Sequence, residues 1–470
     1  LAVAERLGGV TVDEVMRVLV PLGVAYVKTD DGWRKTVKPW PEQIDQWTHW
    51  LHAPDGNAVA QDSVAGPPGR LQWIARPSWS RHHNTVPSVS AIVSARGRLF
   101  YIVDEAPASM HGSAPDKWAL VARDAFNGLL LWKKPISDWG WKAWSAEWTC
   151  RFTVPTHIPR RLVAVGDRVY VTQGFNAPLS ELDAATGEVV RMLKGTEFTD
   201  EILCQPDRLI LALNKGPQRP GASNDRRGEP DDPPVRKRVA AVDPESGRML
   251  WKTGDYVGLR SKTGSMDRIS HLSMCAGEDR VFFVDGDQTI SLNLKDGSEA
   301  WRIARPQVPE NKIRYNIRIT DMCTLVYYGG VLLFAQLDPD RHIDWRENRA
   351  RLHAFSEETG EELWSRPCAA WGWGHPADVF IIDGLVWVHD YQGGPRKSKE
   401  CRPSSAADLA SGSSWVGSRS SFIVGLDPAT GQVKREISNF EAFNNGHHHR
   451  CYRNKATSRY MLTSFRGLEF

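Results

Sequence analysis

Seven of the 14 histidines stand at four places where they could do chemistry. His82 and His83 follow Arg81, His271 follows Ser270, and His375 follows Gly374. The last place is a run, His447-His448-His449-Arg450-Cys451-Tyr452-Arg453. Two chemistries suit such sets. Neutral imidazoles from separate parts of a fold bind a divalent transition metal, and His82, His83, His447 and His448 are the candidates for that. Alternatively, His271, His375 or His449 acts as base, Tyr452 as acid, and Arg450 or Arg453 neutralises a substrate carboxylate. This second set suits a lyase or hydrolase working on an acidic polysaccharide. A plainer reading has the same groups pairing with each other or with water inside a wet channel.

Other signals are thinner. Glu105, His111 and Glu147 lie near a crowd of indoles, Trp132, Trp139, Trp141, Trp144 and Trp148, which either stack on sugars or pack a core. The seven cysteines are scattered, with no Cys-x-x-Cys spacing for a metal or a redox pair, and read as small buried apolar groups. There is no phosphate-binding Gly-rich loop, no His-Glu-x-x-His and no Gly-x-Ser-x-Gly elbow.

The elements that must position these residues come from a repeat. Ala122 to Trp132 reads Ala-Arg-Asp-Ala-Phe-Asn-Gly-Leu-Leu-Leu-Trp, and Ala241 to Trp251 reads Ala-Val-Asp-Pro-Glu-Ser-Gly-Arg-Met-Leu-Trp. Partial copies centre on Gly187, Gly297, Gly360 and Gly431, so the six glycines stand 50 to 71 residues apart. Each unit opens with an apolar run after a turn, such as Val169-Tyr170-Val171, Val281-Phe282-Phe283-Val284 or Leu385-Val386-Trp387-Val388. A second run, the Asp-to-Gly turn and a further strand follow. The Asp can cap the turn, and the Gly takes the positive φ that the turn needs. Short β-branched and aromatic runs between turns read as antiparallel strands, and several per unit read as a β-propeller of four-stranded blades. Ligand sites on such a ring lie at the channel mouth, ahead of the repeated first strands. His271 and His375 precede such runs, as does the segment 447–453, and Arg151, Glu201 and Asp321 hold similar places in other units.

The phrase Ala-x-Asp-x-x-x-Gly-x-x-x-Trp resembles the tryptophan-docking motif of the quinoprotein, or PQQ-like, propellers. The resemblance implies an all-β fold, a seven- or eight-bladed quinoprotein-like propeller spanning residues 76–470 with its last blade incomplete. It implies blade-to-blade packing by the Trp. It does not extend to quinone chemistry, because the adjacent Cys pair expected of a PQQ dehydrogenase and the Cys-x-x-Cys-His of a c-type haem are missing. No cofactor is firmly implied, and a divalent metal is the remaining candidate. A PQQ-dependent oxidoreductase stands as a third functional reading. A periplasmic or secreted location would follow from the same likeness. The expected partner is a small molecule, a carbohydrate or a protein held at a propeller face.

The N-terminal part differs. Val12 to Val20 has helical periodicity, Pro21-Leu22-Gly23 breaks it, and Val24 to Val27 reads as a strand. Helix, Pro-x-Gly and strand resemble the late segment of class I methyltransferases, although Leu22 stands where that pattern has Gly. Residues 1–30 are thus expected to be the α/β remnant of such a domain, as in bacterial methyltransferase–propeller fusions, with 31–75 as a linker. The chain reads as a fragment at both ends, closure of the ring by N-terminal strands being the alternative. A net charge of +3 gives no pull toward nucleic acid, and no stretch is apolar enough to span a membrane. Two loops, Asn214 to Arg238 and Gly393 to Arg419, interrupt the rhythm inside blades.

Overall fold

The chain folds as a β-propeller with a small α/β unit at its N-terminal end. The structure is a computed structural model. It describes all residues except 65, 67–68, 77–88, 107–115, 141–142, 144–157, 218–235, 259–270, 306–322, 338–348, 370–376, 391–421, 439–453, 464–466 and 470. Among the described residues there are seven four-stranded sheets, each a blade. In chain order they occupy 89–135, 162–192, 199–256, 275–304, 324–369, 380–438 and 455–469, and are numbered blades 1 to 7 here. Within blades 1 to 6 each strand pairs antiparallel with the next, so a blade is a meander. Blade 7 takes three strands from 455–469, and its fourth is Val59–Ala60, which runs parallel to Lys455–Thr457. An N-terminal strand therefore pairs with the last blade.

The innermost strands differ from those expected. Val169–Val171, Val281–Val284 and Leu385–Val388 fall in second strands, and the innermost strands lie just upstream at Leu162–Val165, Cys275–Ala276 and Phe380–Ile382. The second strands are buried on both faces and read as continuous apolar runs. Some innermost strands are only two or three residues long and give almost no periodicity.

The core lies between blades rather than inside one. Ile102, Leu120 and Trp132 of blade 1 pack on Leu162, Val169 and Val171 of blade 2. Similar layers join blades 2 and 3, 3 and 4, 4 and 5, and 5 and 6. Blades 6 and 7 share theirs with Leu51, Ala58 and Val59 of the N-terminal segment.

Indoles finish these layers. The Trp132 indole N–H donates to the Ala184 carbonyl in the next blade at 3.0 Å. Trp251 does the same to Leu294, Trp301 to Glu357 and Trp364 to Pro428. Each ring lies so close to the following turn that a Cβ on Gly187, Gly297, Gly360 or Gly431 would sit within 2.8 Å of it. Those glycines also have φ near +70°, so both space and backbone select glycine. Between blades 2 and 3 Arg191 takes this place, donating to the Pro244 and Glu245 carbonyls. Blade 1 receives its indole from Trp73, which donates to the Ala125 carbonyl and covers Gly128.

Residues 2–37 form a separate three-stranded sheet with one helix. Strand Ala2–Ala4 pairs parallel with Val24–Thr29, which pairs antiparallel with Gly32–Val37. Helix Val12–Val18 begins at Thr11, whose hydroxyl accepts from the Glu14 amide. Leu22 adopts a φ of 62°, a conformation that favours glycine.

Candidate functional site

The channel is framed by the innermost strands, and its two ends are built differently. At the end where these strands finish, one backbone amide per blade meets an acceptor from the N-terminal segment. The Ser94 amide donates to the Trp47 carbonyl at 2.7 Å, and that of Ala164 to the Thr48 carbonyl at 3.0 Å. The Cys204 amide donates to His49 Nε2 at 2.9 Å. Those of Ala276 and Tyr327 reach the Pro54 and Asp55 carbonyls. The Ile381 amide donates to Asn57 Oδ1 at 3.0 Å, and the Ala456 amide to the Ala58 carbonyl at 3.0 Å. Among the described residues seven blades thus give seven donors, and residues 47–58 give seven acceptors in the same order, the last of them, Ala456 to Ala58, being a ladder bond of the parallel pair with Val59–Ala60. An amide buried without a partner would cost about 1–3 kcal/mol, so the segment answers a need that each blade creates.

The segment keeps its own shape. The His49 amide donates to the His52 carbonyl and the His52 amide to that of His49, forming a tight reversal in which His52 has a φ of 71°. His52 Nε2 lies 2.7 Å from Asp45 Oδ2, and its ring meets Trp47 edge-on. Gly56 carries the strictest fit, because a Cβ there would stand 2.4 Å from the Leu325 carbonyl oxygen, and its φ is +76°. His49 is buried, and burial, with a smaller push from His52, lowers its pKa to about 3.

Nearer the strand entries the channel wall is charged but internally paired. Arg160, just ahead of blade 2, faces Glu201 of blade 3 at 3.3 Å and donates to the Met274 carbonyl ahead of blade 4. Glu201 in turn accepts from the Met274 amide at 3.0 Å. One guanidinium and one carboxylate so tie three blades together. The Arg160 guanidinium also lies 5.2 Å from the Trp50 ring of the N-terminal segment. Burial raises the Glu201 pKa against the opposing pull of Arg160. Behind this pair, Asp200 is fully buried between Arg161 at 2.5 Å and Lys237 at 2.6 Å. Lys237 also donates to Asn214 Oδ1. Burial lowers the pKa of both Lys237 and Arg161, with Asp200 opposing it.

Of the candidate site residues singled out in the sequence, the structure describes His271, Glu201 and Glu105. His271 is half-buried four residues before the innermost strand of blade 4, with Nδ1 2.9 Å from the Ser273 hydroxyl. His82, His83, His375, His447, His448, His449, Arg450, Tyr452 and Arg453 lie outside the described residues, as do Arg151, Asp321, His111 and Glu147. Glu105 pairs with Lys133 at 3.0 Å on the blade 1 surface. Among the described residues no three His, Cys, Asp or Glu side chains gather as a metal would need. The described cysteines, Cys204, Cys275, Cys323 and Cys368, are buried.

Sequence reasoning passed over Arg160, Arg161, Asp200 and Lys237, and also residues 47–58. The doublets Arg160-Arg161 and Asp200-Glu201 were the available signal, since each stands at the start of a repeat unit. In residues 45–60 the signal was composition. Trp47, Trp50 and Leu51 alternate with Asp45, His49, His52, Asp55 and Asn57, a mix that suits packing better than a solvated tether.

Comparisons with known proteins give one family model and several distant structural likenesses. The family model described as outer membrane protein assembly factor BamB matches residues 235–459. No curated protein matches the chain. Among solved structures, BamB from Moraxella catarrhalis is 12% identical over 66% of this chain and 82% of its own, with a TM-score of 0.34. A europium-containing methanol dehydrogenase is 11% identical over 89% and 81%, with a TM-score of 0.46. Quinohemoprotein alcohol dehydrogenase from Comamonas testosteroni is 12% identical over 90% and 70%, with a TM-score of 0.45. The propeller assignment rests on the strand topology of the chain itself. No helix among the described residues is long and apolar enough to cross a membrane.

Proposed function

We propose that this propeller is a ligand- or partner-binding scaffold whose working surface is the mouth at the strand entries. The observation carrying this reading is the internal pairing of the channel charges. Arg160 with Glu201, and Asp200 between Arg161 and Lys237, spend their charge on holding blades 2, 3 and 4 in register. A catalytic acid or base needs a face turned to substrate, and these groups face one another. The match of residues 235–459 to the BamB family model supports a protein as the bound partner. A periplasmic or secreted setting fits that partner class.

A second reading keeps an enzyme at the same mouth, acting on an acidic polysaccharide through His271, His375 and His449 with Tyr452, Arg450 and Arg453. Glu201, a channel carboxyl whose pKa burial raises against the pull of Arg160, gives that reading a further titratable group at the mouth. For PQQ the fit is poor. No two of the seven cysteines are neighbours in sequence, so the adjacent pair expected under a quinone is missing and no step is routed through that group. The sheet and helix of residues 2–37 support the α/β character read at 1–30.

The two readings separate in one experiment. The protein and its His271→Ala/His375→Ala/His449→Ala variant are incubated with a panel of acidic polysaccharides, and release of new chain ends is measured. The scaffold reading expects no release by either. Turnover by the parent that the triple variant loses would overturn it.

A further inference from the structure

We infer that the outer edge of blade 7 is a strand-docking surface, and that its occupant is residues 71–76 of this same chain, which close the ring as the outermost strand of the last blade. Three observations carry it. First, the indoles at the seams follow one pattern. Trp132, Trp251, Trp301 and Trp364 each stand on the outermost strand of one blade. Each donates to the carbonyl three residues before the turn glycine of the next blade, and its ring covers that glycine. Trp73 makes the same two contacts on blade 1. It donates to the Ala125 carbonyl at 3.0 Å, and a Cβ on Gly128 would sit 2.6 Å from its ring. Gln72 beside it donates to the Phe126 carbonyl at 2.5 Å. The blade that precedes blade 1 around the ring is blade 7, so Trp73 stands where the outermost strand of blade 7 belongs. Its sequence agrees, because Gly69-Arg70-Leu71-Gln72-Trp73 has the Gly-x-x-x-Trp spacing of Gly247 to Trp251.

Second, blade 7 presents the matching edge. Its strands lie in the order Val59–Ala60, Lys455–Thr457, Met461–Thr463, Gly467–Glu469. Lys455–Thr457 is the innermost strand of the blade, and Val59–Ala60 pairs with it on the axial side. Gly467–Glu469 is therefore the third strand of the meander and the outer edge of its sheet. An edge strand offers a row of N–H and C=O groups to an incoming strand, and that row is what an added strand pairs with. Third, the register is already set. In blades 1 to 6, start from the innermost-strand residue whose amide meets the N-terminal segment, and take the residue after its second-strand partner. That residue's third-strand partner lies opposite Trp132, Arg191, Trp251, Trp301, Trp364 or Arg435. In blade 3 the path runs from Cys204 across to Leu209, then from Ile210 across to Ala241 and Trp251. In blade 7 the same path runs from Ala456 across to Met461, then from Leu462 across to Leu468. Trp73 thus falls opposite Leu468, and Ile74 opposite Gly467.

A cross-link in the full chain tests this register. Directly opposed residues of antiparallel strands stand about 4.5–5.5 Å apart at Cα, within disulfide reach. Under mild oxidation Ile74→Cys/Gly467→Cys should form an intramolecular disulfide, identified by peptide mapping, at least about 10-fold faster than the shifted pair Ile74→Cys/Glu469→Cys. Hydrogen exchange of the unsubstituted protein gives a second readout. Alternate amides from Trp73 to Arg76 should exchange at least about 10-fold more slowly than in an unstructured chain, as ladder amides do. Equal rates for the two cysteine pairs would overturn the closure. So would a disulfide formed between two molecules, which would give the edge to a second copy, or unstructured exchange rates throughout residues 73–76.

Discussion

At the residue scale His49 is the most exposed to test. It is buried as a neutral acceptor for the Cys204 amide, so its folded pKa of about 3 lies well below the ordinary histidine value. Between about pH 3 and pH 6.5 the unfolded chain therefore binds a proton that the folded chain refuses. Its contribution to stability is complete above that window and is lost as the pH falls through it. His49→Gln retains an acceptor but cannot titrate there. Thermal unfolding between pH 3.5 and 7 should show a steeper acid loss for the parent protein than for this variant. Equal slopes would remove His49 from the linkage. Asp200 invites a simpler test. Asp200→Ala leaves the Arg161 and Lys237 charges buried without their shared carboxylate, and should cost about 3–5 kcal/mol in urea unfolding. A loss below about 1 kcal/mol would mean that water or Asn214 replaces it.

At the element scale the seams between blades are the informative unit. Trp251 joins blade 3 to blade 4 by its ring over Gly297 and its N–H on Leu294. Trp251→Phe should cost about 1 kcal/mol, the net worth of one hydrogen bond. Trp251→Ala should cost about 3 kcal/mol because it also removes the ring. Equal losses for the two variants would show that the ring contributes little. Arg191 marks a different seam, where a guanidinium tied to Glu181 does the joining. The turns were legible because Asp, Gly and the strand-opening Trp recur at fixed offsets. Which apolar run was innermost was not legible, because Cys275–Ala276 is too short for a period of two to show. For the same reason, Glu201 could be placed near the axis but not paired with Arg160, since that contact joins two blades and has no local spacing. His271 was found by its position in the repeat, yet Ser273 beside it carries no pattern at all.

At the scale of the whole molecule the propeller is asymmetric along its axis. One mouth is covered by residues 46–59, and the other is bordered by paired charges. The N-terminal segment touches both sides of the junction between the last and first blades. It enters the blade 7 sheet through Val59–Ala60 and covers the blade 1 turn with Trp73. Little of this was readable in 31–75, where neighbours in space come from all seven blades and only Gly69-x-x-x-Trp73 echoes the repeat. What the repeat displayed was the relation of each blade to the next.

The seven acceptors also act as a count. A propeller built by repeating one unit has no local feature that says when to stop, because each seam is indifferent to how many others exist. Here the tally is written once, from Trp47 to Ala58, in the order of the blades. A duplicated blade would bring an eighth amide with no acceptor, and a lost blade would leave an acceptor idle. Among the described residues the blades are therefore matched one for one by a segment that belongs to no repeat, and a gained or lost blade would have to be met by a change in those twelve residues.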